Sequence, residues 1–422
     1  MQVATTISQA LIDAVKYAAE NSPYYREKLA GVNLAELGIK EFQKIAFTTK
    51  ADLAANNEAF RSIEQQQVFD IVTTSGTTGN PVSFYLSLND MDRLADNEAR
   101  SLALTGATSD DRFQLMTTMN KQFMAGLAYY EGIKKLGGGI LRVGPGSIKN
   151  QWDTILQHKP TYLIAIPSFV PLLIAEAEKM GIDYQNCSVK SIVCIGEPIR
   201  NLDLNPNALH LRISEKWDVS LYSTYASTEM ATAFTECHEH QGCHELSDLI
   251  HTEVLDDQGN PVANGETGEV VITPLGVEAM PLIRYKTGDL CQVFYDKCSC
   301  GNPSLRLGPI TGRKDHRIKY KGTTIYPRTI QLFLAQEEVW PYSIIIDSNE
   351  EGNDNVTILC TNRVDPVVLK EAMQNKLSVS PEIRLISNEA IVKVLNWKSS
   401  RKPKLVVDIR NNQEAKGFIG SL

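Results

Sequence analysis

The chain has 422 residues, a length that usually serves two domains rather than a single core. Hydrophobic residues make up 43% and charged residues 22%, the composition of a globular protein with an ample core. The formal net charge of −8, without a basic stripe or tail, argues against a nucleic-acid partner, although local donors could still bind small anions.

The start of the chain predicts an amphipathic helix that ends near Pro23, and no basic segment with a following apolar run marks a signal peptide. The most apolar stretch, YLIAIPSFVPLLIAEAEK, is interrupted by Pro167 and Pro171, which makes it too short to cross a bilayer. We therefore expect a cytoplasmic protein without a membrane partner. Its eight cysteines would then be reduced, and clustered ones suggest metal binding or chemistry.

Strand-like and helical patterns alternate up to about Gly312, which predicts an α/β fold with mostly parallel, buried strands. The predicted strands are 113–118, 162–166, 191–196 and 219–225, and the predicted helices are Asp90–Leu104, Trp152–His158 and Ser168–Met180. From Thr252 to Val293, short strands with glycine turns predict an antiparallel or barrel-like subdomain. The remaining 100 or so residues predict a small α+β domain with a helix capped by Asp365.

The segment TTSGTTGNP, Thr73 to Pro81, lies between two predicted strands. Hydroxyl groups and glycine amides in such a loop can surround phosphate oxygens. It is not a Walker A loop, because the spacing differs and no lysine follows. Taken alone, the segment fits a polar hairpin equally well.

Four later segments carry groups suited to a nucleotide. Tyr225 in YASTE offers a flat face for a purine, and Glu229 offers a hard oxygen ligand for Mg²⁺, although a helix capped by Ser227 or Thr228 explains this segment better on its own. Each of the other three candidates also has an ordinary explanation. Asp289 in MPLIRYKTGDL could form an Asx turn, and Arg313 in GRKDHRIKYKG could belong to a solvated run of charges. Lys402 in SSRKPKLVVDIR could be a solvated loop lysine.

Together and in this order, the five segments resemble the acyl-adenylate-forming superfamily. The closer resemblance is to the phenylacetate–CoA ligase branch, through NSPYYREKL, FTTKADL, IPSFVPLLIAEAEKMG, IGEP, MPLIRYKTGDL and GRKDHRIKYKGTTIYP. It extends from about Ser22 to Arg410. The resemblance implies an N-terminal adenylate-forming domain at 1–314 and a mobile C-terminal lid domain at 315–422, with the hinge at Asp315.

The resemblance also implies a nucleotide site. The β- and γ-phosphates of ATP would lie in the loop, the adenine beside Tyr225 and the 196–198 turn, and the ribose on Asp289 with Arg313 nearby. The implied ATP and AMP contacts are Thr74, Ser75, Gly76, Thr77, Thr78, Gly79, Gly196, Glu197, Pro198, Tyr225, Ala226, Ser227, Asp289 and Arg313.

The catalytic residues implied by the resemblance are Thr228 at the α-phosphate, Glu229 on Mg²⁺ and Lys402. The lysine would reach the site from the C-terminal domain and stabilise the α-phosphate as a carboxylate attacks it. After that domain rotates, the thiol of coenzyme A would attack the acyl-AMP, with Gly322 letting the pantetheine arm pass. The expected walls of the acyl pocket are Phe123, Met124, Phe169 and Tyr222, although core packing explains each of them singly.

Four positions depart from the family pattern. Asn80 replaces the lysine of the loop, Ala226 replaces a glycine, and His316 replaces an acidic residue after the hinge. Arg401 replaces the glycine before the catalytic lysine, which leaves Lys404 and Lys398 as alternatives to Lys402.

Two clusters rich in cysteine and histidine, ECHEHQGCHELSD and DKCSCGNP, suggest a structural Zn²⁺ site with four nitrogen and sulfur ligands. The expected ligands are Cys237, His244, Cys298 and Cys300, the first two matching a pattern of this branch, in which some members hold zinc. Cys243, His238 and His240 are the alternatives, and reduced cysteines with surface histidines would explain the clusters without a metal.

These features predict an ATP-dependent ligase that activates an aromatic, phenylacetate-like carboxylic acid and loads it onto coenzyme A. Two alternatives stay open: transfer to a carrier-protein phosphopantetheine or an amine, and a non-catalytic nucleotide-binding relative. A homodimer is the tendency of the family.

Overall fold

The computed structural model describes residues 7–74, 82–320, 323–348, 354–361, 364–397, 404–410 and 412–421. The α-helices are α1 (Gln9–Asn21), α2 (Pro23–Lys28), α3 (Ile39–Lys44), α4 (Lys50–Ala55), α5 (Leu88–Leu104), α6 (Met124–Leu136), α7 (Ile148–His158), α8 (Val170–Met180), α9 (Ala208–Ser214), α10 (Pro327–Gln336), α11 (Pro366–Leu377), α12 (Asn388–Asn396) and α13 (Gln413–Gly420).

The strands are β1 (Asp70–Thr73), β2 (Ser83–Leu86), β3 (Arg112–Leu115), β4 (Gly139–Arg142), β5 (Tyr162–Ala165), β6 (Ser191–Cys194), β7 (Ser220–Ser227), β8 (Thr232–Glu236), β9 (Cys243–His244), β10 (Ile250–Leu255), β11 (Thr267–Pro274), β12 (Tyr285–Phe294), β13 (Arg306–Arg313), β14 (Ile318–Tyr320), β15 (Thr323–Ile325), β16 (Tyr342–Ser348), β17 (Asp354–Cys360), β18 (Glu382–Leu385) and β19 (Val406–Asp408). Short 3₁₀ turns include Pro167–Phe169 and Lys314–His316.

Helix starts follow the local sequence. Ser8 caps α1, and Ser87 with Asp90 forms a reciprocal capping box at α5. Asp365 caps α11, with Pro366 at its first position, as the sequence predicts. Ser168, predicted as the start of a long helix, lies in a 3₁₀ turn that precedes α8.

The chain divides into two compact units. The first consists of Met1–Thr287 and Cys291–Ile310, and the second of Gly288–Leu290 and Thr311–Leu422. No helix within the described ranges combines the length and the apolar character that a membrane crossing requires.

The predicted α/β architecture is confirmed by a large mixed sheet with the strand order β10-β11-β12-β13-β9-β8-β7-β6-β5-β3-β4. Strands β4, β3, β5, β6 and β7 pair in parallel, and the side chains of β5 and β6 are buried throughout, as expected for strands covered on both faces. Pairing becomes antiparallel at β7 and β8. The antiparallel strands of the predicted barrel-like region therefore continue the parallel sheet.

Two cores of the first unit matter for the site. Helix α5 packs on α6 so closely that a side chain at Gly132 would collide with the Cβ of Glu98. On the other side of the sheet, Trp152 and Trp217 are fully buried with ring centroids 5.6 Å apart. These cores fix the parallel strands whose ends carry the predicted motifs.

The second unit has a four-stranded sheet, β18-β17-β16-β19, between helices. One face packs against α10 and α11 through residues such as Phe333 and Met373, and the other against α12 and α13 through Ile391 and Ile419. Strand β19, at residues 406–408, confirms the last strand expected from LVVDIR.

Candidate active site

The predicted motifs of the first unit follow the carboxyl ends of neighbouring parallel strands. Phe123 follows β3, Pro167–Phe169 follows β5, Gly196–Pro198 follows β6 and Thr228 follows β7. The carboxyl ends of parallel strands meet at one edge of a sheet, which is where ligands of open α/β sheets bind. The antiparallel pairing begins at the same strand, β7, so this edge is a candidate nucleotide site.

The hydroxyl and glycine loop has a closed base. Strands β1 and β2 pair antiparallel, with Thr73 opposite Ser83. Beyond them, the Thr74 amide donates to the Val82 carbonyl (3.0 Å), and the Val82 amide donates to Thr74 Oγ1 (3.1 Å). The Thr73 amide donates to the Gln122 carbonyl (2.9 Å), which links the loop to the segment after β3. The other predicted phosphate contacts, Ser75, Gly76, Thr77, Thr78 and Gly79, and Asn80 lie outside the described residues.

The predicted adenine turn is built on backbone that requires glycine, because Gly196 has a φ of 75°. The Glu197 carboxylate accepts hydrogen bonds from the Ser168 amide and hydroxyl, both 3.1 Å, so the turns after β5 and β6 are joined. The Pro198 carbonyl accepts from the Asn207 side chain (2.9 Å), which also caps α9.

The segment YASTE ends a strand and forms a reversal into β8; the interpretation of Ser227 or Thr228 as a helix cap is wrong. The Ala231 amide donates to the Thr228 carbonyl (3.3 Å), and Ala231 has a φ of 45°, which turns the chain back. Antiparallel pairing of Ala226 with Ala233 replaces the helix. Tyr225 is half-buried, with its ring 5.9 Å from Phe234, and Thr228 and Glu229 line a small cavity beside this reversal.

Buried Arg93 of α5 supports this reversal and was not anticipated from the sequence. Its guanidinium donates to the carbonyls of Ala231, Leu249 and Leu275 and to the Thr232 hydroxyl. Burial lowers the pKa of Arg93 to about 10, so the group stays charged at neutral pH. An arginine among the apolar positions of a predicted helix is the signal that could have identified it.

The predicted acyl-pocket residues lie in different surroundings. Met124 lines the cavity beside Thr228 and Glu229. Half-buried Phe123 precedes α6, and Phe169 packs against the core that contains Trp152. Tyr222 is buried with its ring 5.2 Å from His240. Of the four predicted walls, only Met124 lines the cavity at Thr228.

The predicted ribose contacts lie in the second unit, where Arg313 Nε donates to Asp289 Oδ1 at 2.8 Å. Asp289 is buried, and 42% of the Arg313 side chain is exposed. Asp315, the predicted hinge residue, falls in the 3₁₀ turn after β13. Lys404 Nζ lies 5.2 Å from the centre of the Trp397 ring, whereas Lys398, Lys402 and Gly322 lie outside the described residues.

The four expected metal ligands lie together, with all four ligand atoms within 4.8 Å of one another. Cys237 Sγ is 3.8 Å from Cys298 Sγ and 3.3 Å from His244 Nε2, and Cys300 Sγ is 3.6 Å from the same nitrogen. Tetrahedral zinc with its usual bond lengths separates two sulfurs by about 3.8 Å and a sulfur from a nitrogen by about 3.5 Å. The donor set and spacing of this Cys/His cluster therefore fit Zn²⁺.

The surroundings of the cluster agree with metal ligation. His244 Nδ1 lies 3.1 Å from Ser304 Oγ, an outer partner that fixes the ring. Burial and the nearby Arg306 lower the pKa of His244 to about 4, which keeps the imidazole neutral, and burial raises the pKa of Cys237 to about 12. A bound cation would reverse the shift at the cysteine, since thiolates are the ligands.

The alternative ligands point elsewhere. Cys243 Sγ lies 3.6 Å from the Ser223 carbonyl within the core, and His238 pairs with Glu239 at the surface. His240 Nδ1 lies 3.2 Å from Glu236 Oε2. Adjacent residues of β9 face opposite sides of the strand, which separates Cys243 from His244.

A buried ion pair that was also not anticipated from the sequence lies next to the Cys/His cluster. Arg200 and Glu236 are both buried, with side-chain exposures of 6% and 1%, and Arg200 Nε is 3.1 Å from Glu236 Oε1. Burial opposes ionisation of Glu236, but hydrogen bonds from His240, Ser223 and Arg200 and the arginine charge hold its pKa below the ordinary value. The two residues are separated by 36 positions, so no local pattern announces the pair.

Comparison with known proteins identifies relatives of this chain. The sequence model of the AMP-binding enzyme family matches residues 6–278. The chain is 32% identical over 357 residues to the phenylacetate-coenzyme A ligase of Thermus thermophilus, covering 82% of this chain and 78% of that protein. It is 28% identical over 356 residues to the phenylacetate-coenzyme A ligase of Escherichia coli, covering 82% and 79%.

Among solved structures, 2-hydroxyisobutyryl-CoA ligase in the postadenylation state superposes with a TM-score of 0.81 at 22% identity, covering 98% of this chain and 90% of that chain. This likeness supports the fold. The sequence matches confirm the resemblance to the acyl-adenylate-forming superfamily and its phenylacetate–CoA ligase branch, and the chain belongs to the family of AMP-binding enzymes.

Proposed function

We propose that this chain is an AMP-forming acid–CoA ligase that activates an aromatic, phenylacetate-like carboxylic acid. ATP and the acid give an acyl-adenylate and pyrophosphate, and the thiol of coenzyme A then displaces AMP. The observation that carries the proposal is the arrangement of the 196–198 turn and the Thr228–Glu229 reversal at adjacent carboxyl ends of β6 and β7. The likeness to phenylacetate-coenzyme A ligases supports the substrate class.

In this proposal, each motif has a role in adenylation. The loop closed by Thr74 and Val82 holds the β- and γ-phosphates, and Thr228 holds the α-phosphate. Glu229 would provide a carboxylate oxygen for Mg²⁺, which neutralises phosphate charge when bound. Asp289, held by Arg313, accepts hydrogen bonds from the ribose hydroxyls.

The positive charge at the α-phosphate comes from Lys402 of the C-terminal domain, with residues 315–422 acting as a mobile lid about Asp315. Lys404 is the weaker alternative, because its ammonium lies over the Trp397 ring within the second unit. The Cys/His cluster would hold a structural Zn²⁺ that joins the loop after β8 to the turn at Cys298–Cys300 and performs no chemistry.

Two measurements test this function. The first is pyrophosphate release from phenylacetate, benzoate and an aliphatic acid such as 2-hydroxyisobutyrate, with and without coenzyme A. We expect pyrophosphate release with phenylacetate. In the assays that contain coenzyme A, we also expect its free thiol to be consumed. Pyrophosphate release with the aliphatic acid but with neither aromatic acid would reject the substrate class. Pyrophosphate release without consumption of the coenzyme A thiol would favour a carrier-protein or amine acceptor.

The second measurement is acyl-AMP formation by Lys402→Ala and, as a matched control, Lys404→Ala. The proposal expects a loss of about a hundredfold or more for the first substitution, the ordinary size for one transition-state contact. An unchanged rate for Lys402→Ala would remove that residue from the mechanism.

A further inference from the structure

The buried pair Arg200–Glu236 connects two sites of the first unit. Arg200 follows the predicted adenine turn by two residues, and Glu236 is the last residue of β8 and directly precedes Cys237. The pair therefore lies between the turn that would receive the base and the loop that carries two ligands of the Cys/His cluster.

On the turn side, Arg200 Nη2 donates to the Leu221 carbonyl of β7 at 3.3 Å, and its Nε and Nη2 donate to Glu236. The Asn207 amide donates to the Ile199 carbonyl (3.1 Å), and its side chain donates to Pro198. The exit of the turn is thus fixed by one guanidinium and one amide side chain.

On the cluster side, Glu236 Oε2 accepts from the Ser223 amide (3.0 Å) and lies 3.2 Å from His240 Nδ1. His240 lies between Cys237 and His244 in the chain, and Glu236 pairs with Cys243 across β8 and β9. The Glu236 side chain therefore contacts this loop at His240, while its backbone leads directly into Cys237 and pairs with Cys243 of β9.

We propose that Glu236 is a positioning residue for ATP binding, which transmits the order of the Cys/His cluster through Arg200 to the 196–198 turn. The inference rests on the proposed function, since it assigns the base to that turn. Because a buried carboxylate that makes four hydrogen bonds to three partner residues holds a single geometry, its loss frees both the loop and the turn. The residue touches no reacting atom, so it governs nucleotide affinity rather than the chemical step.

The first test is Glu236→Gln, which keeps the shape and removes the charge. We expect the Kd for ATP to rise about tenfold, which corresponds to one lost positioning interaction, while kcat for pyrophosphate exchange changes less than about twofold. Glu253→Gln is the matched control, because Glu253 pairs with buried Arg284 (2.9 Å) away from this turn. The control should lose stability without a change in the Kd for ATP.

A second test does not depend on a substitution at the pair. Wild-type protein is stripped of metal with a chelator, its metal content and circular dichroism are measured, and ATP is titrated before and after reloading with Zn²⁺. We expect weaker ATP binding in the folded, stripped protein and recovery on reloading. Cys298→Ser should weaken ATP binding in the wild-type background but add nothing to Glu236→Gln.

Hydrogen exchange of the nucleotide-free protein tests the positioning role of Glu236 separately from the proposed ligase function. The amides of Asn201 and Asn207 are hydrogen-bonded at the exit of the turn and should exchange faster in Glu236→Gln and in stripped protein. Wild-type protein that binds no ATP would reject the proposed function. Wild-type protein that binds ATP, with a Kd unchanged in both Glu236→Gln and stripped protein, would overturn the positioning role.

Discussion

Among the described residues, Glu98 is a carboxyl group with a strongly raised pKa that the proposed mechanism does not use. It lies buried on α5, where this helix packs against α6, and its Oε2 has no hydrogen-bond partner among the described residues. Burial raises the pKa of Glu98 to about 8. The folded protein therefore holds a proton there at neutral pH that the unfolded chain releases.

This proton has a predictable effect on stability. Between the unfolded pKa of about 4.5 and the folded pKa of about 8, the folded state binds more protons than the unfolded chain. The free energy of unfolding therefore falls as the pH rises through this range, by on the order of 1 kcal/mol per pH unit. Glu98→Gln removes this dependence and should melt higher than wild type at pH 8. Melting temperatures from pH 5 to 8 check it, with exposed Glu215→Gln as the control; parallel curves for wild type and Glu98→Gln would contradict the prediction.

Asn80 is the second residue with a measurable consequence. In the proposed function it occupies the place of a loop lysine near the β- and γ-phosphates, so Asn80→Lys adds an attractive charge. We expect a lower KM for ATP, by a few-fold, with kcat little changed. Steady-state pyrophosphate release measures it, and Asn80→Gln controls for side-chain length; an unchanged KM means that position 80 does not face the phosphates.

At the scale of elements, the Cys/His cluster ties the loop after β8 to the turn at Cys298–Cys300. Because a metal that binds only the folded state stabilises it, removal of the proposed Zn²⁺ should lower the melting temperature by about 5 °C or more. Cys298→Ser and Cys300→Ser should do the same and reduce bound zinc. Cys243→Ser is the control, since its sulfur lies in the core and outside the cluster; equal zinc content in all three variants would refute the site.

Elements were predictable where a local pattern decides them. Capping by Asp365 and Pro366 and the apolar runs of β5 and β6 define their elements almost to the residue. The sequence was misleading at Ser227–Thr228, where pairing of β7 with β8 overrides a good cap. At such positions, contacts between residues far apart in the sequence determine the local structure. For the same reason, no local pattern predicted the roles of Arg93 and of the Arg200–Glu236 pair, whose partners lie far along the chain.

At the scale of the whole molecule, the proposed reaction needs two arrangements of the C-terminal domain. Proline fixes φ, so Asp315→Pro should prevent the rotation while leaving the first arrangement accessible. We expect pyrophosphate exchange within a few-fold of wild type and thioester formation reduced at least about tenfold. Asp315→Ala, which leaves the backbone free, controls for the lost carboxylate; equal loss of both half-reactions in the proline variant would argue against a hinge at this position.

The positions of the chain's four tryptophans provide a spectroscopic consequence. Trp152 and Trp217 are buried side by side in the first unit, whereas Trp340 is 54% exposed and Trp397 stacks on Phe418 in the second. Indoles shielded from water emit at shorter wavelength than wet ones, so the intrinsic fluorescence contains separable contributions from the two units. Red-edge emission should therefore report on the second unit, and replacing Trp340 with Phe would leave a blue-shifted signal dominated by the first unit.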